Sequence, residues 1–149
     1  MKLFQIEEPD GSAVDPDAPG VAIGIDIGGA EAEVAVAVGG NAVVLGDRED
    51  FALDLPVPPP AAPADEWQHL FEGVRLRAER ALGQPVTHAV VALASAPDRN
   101  FAARLLAASD AAGVALLRMI AREDIGAAEP PALAAACLAE DLAPRPGAP

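Results

Sequence analysis

Between Val21 and Ile27 every residue is apolar except Gly24 and Asp26, the pattern of a central strand covered on both faces. From Glu31 to Val38 an acid or alanine alternates with valine, and Asn41 to Leu45 follows a Gly39-Gly40 turn. These two segments predict a hairpin with a polar outer face. The run Pro56-Val57-Pro58-Pro59-Pro60-Ala61-Ala62-Pro63 reads as an extended, polyproline-like connector over 54–64. Asp65 then suits a helix N-cap, and Trp67, Leu70, Phe71, Val74 and Leu76 recur at helical spacing as far as Leu82. Gly83-Gln84-Pro85 stops that helix, and Trp67 and Phe71 read as core. Thr87 to Ser95 predicts a buried strand. Asp98 opens a second helix whose apolar residues Phe101, Leu105, Leu106 and Ala108 run to a cap at Gly113. Val114 to Ile120 predicts another strand, and Pro130 to Leu142 a last helix.

The order is strand, strand, strand, helix, strand, helix, strand, helix, and helical crossovers demand parallel pairing of the later strands. That order predicts an α/β fold: a single ribonuclease-H-like lobe, half of an actin-like ATPase, with a five-stranded mixed sheet and three helices. The lobe spans 21–142, between a flexible, Pro- and Asp-rich arm over 1–20 and a disordered Pro-rich tail over 143–149.

Composition narrows what the lobe can meet. With 149 residues there is room for one ordinary core, and although 52% of residues are hydrophobic, four Phe and one Trp supply most of its bulk. Ten basic residues against 23 acidic leave a net charge of −13, which repels nucleic-acid phosphates and anionic membranes and favours a basic protein or a cation. No apolar run reaches the roughly 18 residues of a membrane span, and the first residues are acidic where a signal peptide is positive. The expected location is the cytoplasm. Cys137, the single cysteine, cannot form an intrachain disulfide and reads as a buried spectator. His69 and His88 read as surface histidines, without the partners a zinc site needs. Ser95 and Ser109 lack a nucleophile elbow, so serine hydrolysis has no support. Glu7-Glu8 and Arg48-Glu49-Asp50 read as solvated loop charges.

Three separated segments resemble the DnaK/HscA-type heat-shock chaperones. Phe4-Gln5-Ile6-Glu7-Glu8-Pro9 looks like the short arm with which HscA-type chains begin. Val21-Ala22-Ile23-Gly24-Ile25-Asp26-Ile27-Gly28, followed by Val34-Ala35-Val36, is similar to the family's first phosphate motif, GIDLGTTNS and a valine strand. Ala89-Val90-Val91 through Asp110-Ala111-Ala112-Gly113-Val114 to Ile120 resembles the stretch from VVITVPAYF to DAARLAGLHVLRLL. The resemblance implies that Asp26, Gly28 and Gly29 form a residual turn for the phosphate of ATP and its magnesium ion, with Asp26 touching the metal through water.

The departures are equally specific. Gly29 and Ala30 replace the family's paired threonines, and Glu31, which would repel phosphate, replaces its asparagine. No lysine follows Lys2, so the catalytic lysine has no counterpart, and Arg122 aligns with the catalytic glutamate. The second phosphate motif and the peptide-binding domain also lack counterparts, which leaves a nucleotide cleft with one wall. The resulting expectation is a degenerate HscA-like chaperone module that acts without ATP turnover by binding another protein, in iron–sulfur cluster assembly or protein folding. The alternative is a weak ATP-binding fragment that completes its cleft with a partner chain. A lobe without its counterpart is also expected to self-associate, or to bind a protein partner, through the face left bare.

Overall fold

In the computed structural model, residues 21–45, 55–126 and 129–143 are described. The expected arm, the Arg48-Glu49-Asp50 cluster and the tail beyond Ala143 lie outside the described residues. Strands β1 (Val21–Asp26), β2 (Glu33–Val38) and β3 (Asn41–Val44) form an antiparallel meander. Then come α1 (Ala64–Leu82), β4 (Val86–Leu93), α2 (Arg99–Ala111), β5 (Ala115–Ala121) and α3 (Pro131–Leu142). β4 pairs with β1 and β5 with β4, both in parallel, so the mixed five-stranded sheet runs β3-β2-β1-β4-β5. The α/β class, the five strands and the three helices all follow the hydrophobic pattern.

Strand periodicity divides the core into two unlike layers. Ile23, Ile25, Val34, Val36, Ala89 and Val91 face α1 and α2, where Trp67, Phe71, Val74 and Leu105 fill the space. Burying side chains of this size contributes about 1.5–3 kcal/mol each. On the opposite face, Ala22, Ala35, Ala37, Val90 and Ala92 meet Ala132, Ala135, Ala136 and Ala139 of α3. Small side chains on both surfaces let α3 lie unusually close to the sheet. Gly24 marks the closest approach: a Cβ placed there would stand 2.2 Å from the Ala136 nitrogen and 2.7 Å from the Ala132 oxygen, both main-chain atoms.

Several details depart from the sequence reading. The outer face of the hairpin is not polar, because Ala35 and Ala37 lie buried beneath α3; alanine is small enough to serve as a helix-packing surface. Asp65 is not the N-cap of α1. That position belongs to Pro63, whose side chain makes no capping bond, and Asp65 sits in the first turn near the positive end of the helix. The sequence reading counts Leu76 and Leu106 into helical stripes, but they are 52% and 44% exposed: the helical turn puts Leu76 opposite the buried face formed by Trp67, Phe71, Val74 and Ala78, and Leu106 well away from that of Leu105 and Ala108. His88 is half-buried on β4 rather than on the surface, and Cys137 is half-buried rather than fully enclosed. The stop signals hold: Gly83 adopts φ 69° after α1, and Gly113 adopts φ 86° beyond α2.

Candidate functional site

β1 and β4 run in parallel, so their carboxyl ends and the loops that follow open on the same side of the sheet. This is where α/β folds collect ligands. Asp26, the last residue of β1, is 5% exposed. Its Oδ1 accepts the Gly28 N–H at 2.8 Å, and its Oδ2 accepts a bond from the Arg122 guanidinium at 3.1 Å. Arg122 opens the 3-10 turn Arg122–Asp124 directly after β5, so the sheet order carries it across the end of β4 to reach Asp26. Gly28 is needed for this contact: a Cβ there would lie 2.9 Å from Arg122 Nε and 3.1 Å from the Ala94 nitrogen.

The pair bears on whether magnesium fits. A carboxylate that binds a metal ion keeps lone pairs free for it or its water. Here one oxygen is held by a backbone amide and the other by a cation, and the next acid, Glu31, is exposed and tied by its backbone to Pro56. The residues around Asp26 therefore do not fit a magnesium ion. Among the described residues no group of three or more His, Cys, Asp or Glu side chains is placed to hold any metal.

Gly28 and Gly29 border an open cleft of about 610 Å³. The proline connector forms its second wall and is fixed to the glycine turn: the Ala32 N–H donates to Leu55 O at 3.0 Å and the Val57 N–H to Ala30 O at 2.9 Å. The loop Ser95–Asp98 and the start of α2 form the third wall. Asp98 caps that helix by accepting the Phe101 N–H at 2.7 Å, as its sequence position implies. Phe101 meets Trp67 edge to face with centroids 5.4 Å apart, and the Arg104 guanidinium lies 5.6 Å from the Phe101 centroid on its way to a hydrogen bond with Pro60 O. Two side-chain nitrogens are buried without a hydrogen-bond partner among the described residues, Trp67 Nε1 and Arg104 Nε. Each such orphan costs about 1–3 kcal/mol.

The structure thus gathers Asp26, Gly28 and Gly29 at one end of the sheet, with Ser95 on the facing loop. Sequence reasoning placed Trp67 in the core, read Phe101 as an apolar residue of the second helix and gave Arg104 no role. Helical periodicity cannot separate a core aromatic from one that also walls a cleft. Arg122 was visible as the residue aligned with a family acid, but its reach to Asp26 depends on strand order. His69 is exposed; half-buried His88 has Nδ1 2.7 Å from Thr87 Oγ1, and burial lowers its pKa from the usual value. Burial raises the Cys137 thiol pKa, helped by the charges of Glu129, Glu140 and Asp141. Ser109 is buried and donates to Leu106 O at 3.1 Å. No helix among the described residues is long and apolar enough to cross a membrane. No protein-family model matches this chain, and neither does any curated protein.

Proposed function

We propose that this chain is a ribonuclease-H-like lobe of the DnaK/HscA type that has exchanged phosphate chemistry for binding another protein. The observation that carries this reading is the Asp26–Arg122 ion pair: a cation from the protein itself stands where the family motif would direct a metal ion. Sheet order and pairing directions support the fold assignment, being those of a meander extended by two parallel crossovers. The HscA-like arm motivates a role in iron–sulfur assembly or protein folding. The net charge of −13 selects a partner with a basic surface.

Calorimetry of the pure protein with magnesium-ATP tests the reading; a flat titration is expected for wild type and for Asp26→Ala alike. ATP turnover that Asp26→Ala abolishes would overturn it. One observation favours the second reading, an ATP-binding fragment completed by another chain: Gly28 and Gly29 face an open cleft. That reading requires heat release with magnesium-ATP once the partner is added, and loss of it in Gly29→Val.

A further inference from the structure

Trp67 Nε1 and Arg104 Nε are the two buried side-chain donors without a partner among the described residues, and both residues wall the same cleft. Phe101 joins them, edge-on to Trp67 and beneath the Arg104 guanidinium. Buried donors are almost always satisfied, and a guanidinium pairs readily with a carboxylate. Two donors left unpartnered among the described residues, on side chains that line one cavity, point to an acceptor that the cavity would hold.

The cleft also limits what that acceptor can be. Its volume of about 610 Å³ suits a small molecule, and Ile27, Val57, Pro58, Leu93 and Pro97 give it an apolar stretch of wall beside its polar groups. Among the described residues that line it the cation is Arg104, which donates to Pro60 O and meets no carboxylate among those residues. Asp98 on the rim, nearby Glu31 and the overall charge of −13 oppose a ligand with several negative charges. We infer that the cleft beside Trp67, Phe101 and Arg104 binds a small, ring-bearing monocarboxylate, its ring among the apolar walls and its carboxylate accepting from Arg104 and Trp67. Both orphan nitrogens are buried, so the wall of the cleft has to yield for a ligand to reach them. This inference is independent of the proposed partner-binding role.

The full chain provides its own probe, because Trp67 is its single tryptophan. Intrinsic fluorescence is followed while benzoate, phenylacetate and cyclohexanecarboxylate are added, with benzamide, benzylamine, inorganic phosphate and AMP as matched controls. A saturable change with the carboxylates is expected, at least tenfold weaker for benzamide and absent with benzylamine. Arg104→Gln, shown by circular dichroism to be folded, is expected to weaken carboxylate binding at least tenfold. A response to no carboxylate, an equal response in Arg104→Gln, or a preference for phosphate or AMP would each overturn the assignment. Should Arg104→Gln fail to fold, Pro60→Gly removes no charge and is expected to retain the preference for carboxylate over amide; its loss there counts against the site.

Discussion

Asp26 is held by one backbone amide and one guanidinium, and the two contacts are unequal in kind. The Gly28 bond is local and forms with the turn, whereas the Arg122 bond joins residues 96 positions apart. Removing Arg122 leaves a carboxylate that is 5% exposed with a single donor, although Arg122's own 46% side-chain exposure moderates the effect. Arg122→Ala is expected to lower stability by about 1–2 kcal/mol in urea denaturation, with Asp26→Asn in the Arg122→Ala background recovering part of the loss. His88 supplies a pH dependence. Because burial lowers its folded-state pKa, the unfolded chain binds the proton more readily. Stability is therefore complete above the ordinary histidine pKa of about 6.5 and falls as pH drops below it. His88→Gln is expected to flatten that slope in thermal melts between about pH 7 and pH 5, and an unchanged slope would assign it to other groups. Cys137 behaves in the opposite sense: its raised pKa keeps the thiol protonated, so thiolate absorbance should develop above the ordinary value of 9.0.

Among the elements, α3 has the most demanding fit. A methyl group at Gly24 would collide with main-chain atoms of α3, which cannot swing aside as a side chain can. Gly24→Ala should therefore displace α3 from the sheet or cost more than about 3 kcal/mol, with hydrogen exchange speeding up in 131–142 before β4 is affected. The far end of α3 is fastened differently. Glu140 accepts the Gly39 and Gly40 N–H groups at 2.6 and 2.9 Å, and both glycines have positive φ, 62° and 86°, as a tight hairpin turn requires. Glu140→Ala is expected to cost about 1–2 kcal/mol and to loosen β2–β3 more than β4–β5. These contacts also show what the sequence could carry. Strand and helix existence was legible because apolar spacing, Gly83, Asp98 and Gly113 are local signals. The polar-face reading of the hairpin failed because Ala35 and Ala37 are ambiguous alone and become core only when α3 arrives from about a hundred residues later. Asp26, Gly28 and Gly29 were legible as one turn. Arg122, Trp67, Phe101 and Arg104 were not legible as their neighbours, since strand order and helix docking bring them there.

Across the whole molecule, the described sheet carries helices on both faces. α1 and α2 cover one side of the central strands and α3 covers the other, so Val34, Ala35, Val90 and Val91 are all fully buried within a single chain. Among the described residues the large apolar side chains that remain exposed are Val38 and Val43 on the paired strands β2 and β3, Leu76 on α1 and Leu106 on α2. Two copies would each bring a charge of −13 to an interface, a repulsion that the few exposed large apolar side chains among the described residues would have to offset. On charge alone, a second copy of the chain is repelled and a basic partner attracted. Sedimentation at about 0.05 M salt is expected to show a monomer, because screening is weakest there and repulsion strongest. Binding to a basic partner should run the other way, tight at low salt and weakened at least tenfold as salt rises to about 0.5 M and the Debye length shrinks to a few ångströms. A dimer that persists at low salt, or partner binding indifferent to salt, would mean that apolar contact rather than charge governs association.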